Sequence, residues 1–90
     1  MNRTIITVVG KDTVGIIAKV CNYMADNQIN ILDISQTIIQ GFFNMMMIVD
    51  TSKMTIDYAT MTDEITKLGA QTGVQIKCQK EGIFAKMLRI

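Results

Sequence analysis

The chain has 90 residues, enough for one domain with a thin core. Nearly half of them are apolar and proline is absent, which excludes a disordered or low-complexity chain. A formal charge of +1, spread along the chain, gives no basic stripe for a nucleic-acid backbone, and no apolar run approaches the ~20 residues of a membrane span.

Residues 3–9, RTIITVV, are β-branched and end at Gly10, so they predict a strand. Residues 14–27 carry Ile17, Val20, Cys21 and Met24 at the spacing of one helical face. Asp12 or Thr13 is the expected cap of that helix. Residues 30–40, NILDISQTIIQ, predict a second strand, broken by Gly41, and FFNMMMIVD at 42–50 its hairpin partner. A second helix is expected from about 56 to 69, with Asp57 as a cap and Tyr58, Met61, Ile65 and Leu68 on one side. VQIKCQ at 74–79 alternates strictly and is the last strand. In the tail, Ile83, Phe84, Met87 and Leu88 recur at helical spacing, which predicts a short closing helix.

This order, strand, helix, strand, strand, helix, strand, predicts an α+β fold. It is a ferredoxin-like βαββαβ sandwich with an antiparallel four-stranded sheet and both helices on one face. Residues 1–90 form a single domain, without linker or residue-level repeat. Strands one and three have apolar residues on both faces, so they are expected to be the central pair, buried on both sides. The last strand is apolar on one side and reads as an edge. The helices cover one face only. A second copy of the chain or the apolar tail is expected on the other, because large exposed apolar patches are rare on monomers.

The junction VVGKDTVGIIAKV at 8–20 places two glycines, a lysine and an aspartate between a strand and a helix. A P-loop fails there, because Gly15 is followed by Ile16 and Ile17 and Lys11 is misplaced. A Rossmann fingerprint fails because position 12 is Asp. The same topology serves acylphosphatases, which hold phosphate in this loop with an arginine. Here the loop is GKDTVG, and lysine lacks the guanidinium fork. RNA-binding domains of this topology stack bases on central aromatics; here only Phe42 and Phe43 are aromatic, at one strand end.

No metal or cofactor is expected. There is no histidine, and Cys21 and Cys78 are far apart in sequence within apolar patterns, as free buried thiols. The strand period sends Met46 away from Met45 and Met47, so the three methionines read as packing. Asp33 falls within a strand and forms no placeable carboxylate pair, and Asp63, Glu64 and Lys67 read as a solvated helix face. The first residues lack the apolar segment and cleavage site of a signal peptide, so a cytoplasmic protein is expected.

At GKDTVGIIAKV followed by NQINILDISQT the chain resembles the ACT domain, a regulatory module for amino acids and other small metabolites. More narrowly, DISQT, FFNMMMIVD and the IFAKMLRI tail are similar to the stand-alone UPF0237 proteins, over essentially the whole chain. A similar stand-alone subgroup is linked with glycine-cleavage regulation. The resemblance implies a homodimer that is not an enzyme, binds a small effector, in first place an amino acid, and acts through a partner protein. From charge and hydropathy, no nucleic-acid or membrane partner is expected. The resemblance places the ligand between two domains, against Lys11, Asp12, Thr13, Val14, Gly15 and Ile16 of one, with Asn30 and Ile31 from the other. A helix N-terminus can hold a carboxylate, Asp12 an ammonium, and Asn30 can donate and accept. Each also has an ordinary structural explanation, as cap, packing glycine or turn. The Arg-Pro pair common before the glycine in ACT domains is Thr13-Val14 here. An assembly module without a ligand and an acylphosphatase-like enzyme are the alternatives.

Overall fold

A computed structural model of the chain describes residues 2–11 and 15–80. Within them run β1 (Arg3–Lys11), α1 (Ile16–Asp26), β2 (Asn30–Ile39), β3 (Phe42–Asp50), α2 (Tyr58–Thr72) and β4 (Val74–Lys80). The sheet order is β2-β3-β1-β4, with every neighbouring pair antiparallel. This is the ferredoxin-like fold expected from the element order, with β1 and β3 central and β4 at an edge.

The strand period builds the core. Ile6 and Val8 of β1 lie opposite Met47 and Met45 of β3 and point to the helices. With Phe43, Val49, Ile76 and the buried helix residues they form one cluster. Met46 faces the other way and stays 38% exposed, so the methionine run splits as its period demands.

The buried stripe of α1 is Ile16, Val20 and Met24, spaced by four. The sequence pattern pointed to Ile17 and Cys21. Ile17 is instead exposed and Cys21 half-buried, because the helix is rotated so that Ile16 enters the core. In α2 the stripe is Met61, Ile65 and Gly69, with Tyr58 and Leu68 partly buried beside it. That helix does not stop at Gly69. It runs to Thr72, and Gly73, at φ 81, closes it by donating its N–H to the Gly69 carbonyl.

Asp57 caps α2 as expected, accepting the Thr60 N–H at 2.7 Å. The Thr60 side chain, and then this backbone bond, hold its carboxyl below the usual carboxylate range. A group whose folded pKa is depressed stabilises the fold above its unfolded pKa, and the contribution disappears as pH falls through the folded value. Asp57→Ala is therefore expected to lower the thermal midpoint at pH 7. The gap to the unsubstituted protein should close on acidification below the normal carboxyl pKa of about 3.9. Melting curves from pH 7 to pH 3 check this; a gap that widens in acid would refute it.

The expectation that β1 and β3 are buried on both faces holds at one end only. On the face without helices Ile5 is buried and Ile48 half-buried, whereas Val9 and Phe42 are about half exposed. Strand β2 overhangs the helical layer. Of its ten residues Ile31 alone is half-buried and the rest are exposed. The expected closing helix over 83–88 lies outside the described residues.

Candidate functional site

The β1–α1 junction is shaped by its glycines. At Gly10, where β1 passes the start of β4, a Cβ would sit 2.9 Å from Val74 Cγ1 and 3.0 Å from Val74 Cα. Only glycine permits that approach. Gly15 serves differently. It is the N-cap of α1 at φ 83, the left-handed region that favours glycine, and a Cβ there would meet nothing within 4 Å. Among the described residues, then, none crowds the outer side of Gly15. The helix cap falls to Gly15, which has no side chain to supply, and the expected capping residues Asp12 and Thr13, with Val14, lie outside the described residues.

Lys11 is exposed at the end of β1. Ile16 is 2% exposed, with its side chain in the core, so it can offer a ligand only its backbone amide. The amides of the first helical turn have no partner within the helix and carry its positive dipole end. The first helical bond, Lys19 N–H to the Gly15 carbonyl at 3.0 Å, begins one turn in.

Asn30 and Ile31 are at the far end of the molecule from this junction. Asn30 pairs with Asp50, which pairs with Arg3, while Lys11 pairs with Phe42. Arg3 and Lys11 bound the nine-residue strand β1, roughly 26 Å from end to end at ~3.3 Å per residue. One chain therefore does not bring the two groups together.

Asn30 and Ile31 help to line an open cleft of about 570 Å³ at the C-terminal end of α1, together with Cys21, Met24, Gln28 and Lys53. Three local features build it. Gln28 takes a left-handed φ of 60 in the turn that follows α1. The Asn27 amide donates to the Tyr23 carbonyl at 2.9 Å. The Ser52 N–H donates to Asp50 at 3.0 Å, turning Lys53 toward the cleft. Sequence reasoning missed Gln28 and Lys53. The Asn-Gln turn before a strand was a visible signal for the first; the second needs the tertiary fold.

Several other titratable groups make contacts that hold the fold together. Tyr23 Oη donates to Glu64 Oε1 at 2.7 Å and ties α1 to α2. Burial, then this carboxylate, pushes the phenol pKa upward. Lys67 pairs with Asp63 at 3.1 Å on the exposed face of α2, a pair worth a few tenths of a kcal/mol at most. Both cysteines are free, each half-buried rather than fully so. Burial raises the Cys78 thiol to about 11, so it is protonated and unreactive near neutrality. Among the described residues no three His, Cys, Asp or Glu side chains gather to hold a metal ion. Among them, too, no helix is long and apolar enough to cross a membrane.

The ACT domain family model matches residues 2–79. A UPF0237 protein of Bifidobacterium longum is 58% identical over 90 residues, covering 100% of both chains. An ACT domain protein from Streptococcus pneumoniae superimposes with a TM-score of 0.81 at 38% identity, over 92% of this chain and 93% of that one. A protein assigned as a glycine cleavage system transcriptional repressor shares the fold, with a TM-score of 0.73 at 21% identity over 88% of this chain and 45% of its own. With its helix-entry glycine, its β2 start and its sheet order in place, the chain belongs to the ACT domain family and, within it, to the UPF0237 proteins.

Proposed function

We propose that this protein is a regulatory ACT module, without catalytic activity of its own, that binds a small metabolite between two copies of the chain and acts through a partner protein in the cytoplasm. An amino acid is the first candidate. A solvated ammonium and carboxylate suit Asp12 and the α1 amides. The observation that carries the reading is the separation of the two half-sites: the Lys11–Gly15 junction and the Asn30 cleft stand at opposite ends of one sheet.

A second copy resolves that separation. Among the described residues strand β2 is an edge with no strand on its outer side, and Ile34 and Ile38, on the helix side of the sheet, are 40% and 56% exposed. Antiparallel pairing of β2 with its copy about a two-fold axis sets Asn30 beside the copy's Ile39 end. Ile39 pairs with Phe42, and Phe42 with Lys11, so that end is the junction end. The two half-sites then face each other twice per dimer. A ligand seated there stabilises the dimer by mass action, by about 2.7 kcal/mol at a hundred times its Kd. The glycine-cleavage repressor that shares this fold supports a role in amino-acid metabolism.

The test is a thermal-shift panel of the twenty amino acids and common nucleotides, with sedimentation at micromolar protein. We expect a dimer and a rise in melting temperature with one ligand class, lost in Gly15→Asp. In that variant the new carboxylate sits at the helix entrance, where a ligand carboxylate would bind. A monomer with and without every compound would overturn the reading. A dimer that no compound stabilises would favour an assembly module, which the exposed apolar edge of β2 also supports. Hydrolysis of acyl phosphate would show an enzyme instead.

A further inference from the structure

The cleft beside Asn30 has a floor and a mouth of different chemistry. Met24 and Ile29, 1% and 4% exposed, and the half-buried Cys21 and Ile31 make an apolar floor. Gln28, Asn30 and Lys53 are exposed at its mouth. Among the described residues their side chains have no hydrogen-bond or ion-pair partner. The volume, about 570 Å³, lies within the roughly 300–1,000 Å³ of small-molecule sites, and an apolar floor under a few convergent polar groups is how such sites are built.

Charge around the cleft is uneven. The last turn of α1 forms one side of it and brings the negative end of the helix dipole. Asp50, its carboxylate fixed by the Ser52 N–H, adds a full negative charge. An acidic side chain entering the cleft meets both. A neutral polar one loses water and finds no partner on the floor, and a basic one meets Lys53 at the mouth and the same apolar floor beyond it. An aliphatic side chain gains by leaving water there. Lys53 is the cation of the mouth, where a carboxylate can sit without entering.

We infer that the cleft takes the aliphatic side chain of an α-amino acid whose carboxylate lies at the mouth against Lys53. The inference rests on the two-copy site proposed above, in which the α1 amides of the second copy hold that same carboxylate. Lys53 is then a binding residue beyond the Lys11–Gly15 junction and Asn30, and the floor of Met24, Ile29 and Ile31 selects among amino acids. Glycine has no side chain and leaves that floor bare.

Calorimetric titration of the full-length protein with leucine, glycine and glutamate tests it, together with alkylation of Cys21 by iodoacetamide as a probe inside the cleft. Leucine is expected to bind at least about tenfold more tightly than glycine or glutamate. It should also slow alkylation of Cys21 and leave that of Cys78, which does not line the cleft, unchanged. Lys53→Ala should weaken leucine binding about tenfold and leave the melting temperature without ligand nearly unchanged. Glycine or glutamate binding as tightly as leucine, or leucine binding without protecting Cys21, would overturn the inference. The two-copy site would survive that result where Gly15→Asp still abolishes binding. Leucine that protects Cys21 in a monomer would uphold the cleft and overturn the second copy. A dimer that leucine does not bind would overturn the inference outright.

Discussion

Phe43→Ala is expected to cost about 3–5 kcal/mol, whereas Phe42→Ala should cost less than about 1 kcal/mol. The two phenylalanines are adjacent in β3 and differ only in face. Phe43 is 1% exposed among the helix-side core residues, and Phe42 is 58% exposed on the other side. Removing the buried ring loses its transfer free energy and leaves a cavity that neighbouring Met45 and Ile38 rows cannot close without moving the strand. A domain of this size holds only ~5–15 kcal/mol in total, so the Phe43 variant gives up a large part of its reserve. Urea unfolding of the two variants checks this. A reversed order of midpoints would mean that the strand register is wrong by one residue, since such a slip exchanges the two faces. In the dimer proposed above, Phe42 lies in the Lys11–Ile39 row, so its loss is expected to show in dissociation more than in unfolding of the chain.

Much of this fold was legible from short-range rules. Strand alternation placed Met45, Met47 and Val49 on the buried side and Met46 on the other, because the period of a strand leaves no freedom. The order of elements then restricted the topology to one familiar arrangement, and the polar face of β4 marked it as an edge. Helix phase was harder. Ile16 and Ile17 are adjacent, equally apolar, and 100° apart on the helix, so periodicity alone fits either into the core. The strand-to-helix turn at Gly15 decides for Ile16.

The candidate site was legible only as two separate halves. The glycine at a helix entrance and the Asn-Ile strand start each show in the sequence, and the need for a second chain followed from the family resemblance. What no local rule could supply is the distance between the halves, which comes from the register Lys11–Phe42 and Arg3–Asp50. Lys53 was invisible for a related reason. It enters the cleft because the turn after β3 is held by Asp50 and by the Thr51 N–H bond to the Asn2 carbonyl at 2.8 Å, a contact between residues 49 positions apart. Burial on the second sheet face was overread. Apolar residues on both sides of a strand show that something covers it, but not over what length.

Gly69→Ala supplies the other large effect, and its sign opposes helix propensity. Alanine in the interior of a helix ordinarily stabilises it by about 1 kcal/mol relative to glycine. Gly69 is buried inside α2, and a Cβ there would lie 2.8 Å from the Val74 carbonyl oxygen and 2.9 Å from Ile76 Cγ1. The isoleucine can turn aside, but the carbonyl belongs to the backbone of β4, which is paired along its length to β1. Helix and strand must therefore separate, and overpacking of this kind costs about 1–3 kcal/mol. That exceeds the propensity gain at the upper end and at least cancels it at the lower. We expect a melting temperature several degrees below that of the unsubstituted protein, since 1 kcal/mol shifts a domain of this size by about 4–8 °C. Gln71→Ala, exposed two residues along the same helix, should leave it nearly unchanged. A rise in melting temperature for Gly69→Ala would mean that α2 stands further from β4 than these contacts require. The glycine would then be a helix weakness rather than the close contact on which the α2–β4 packing depends.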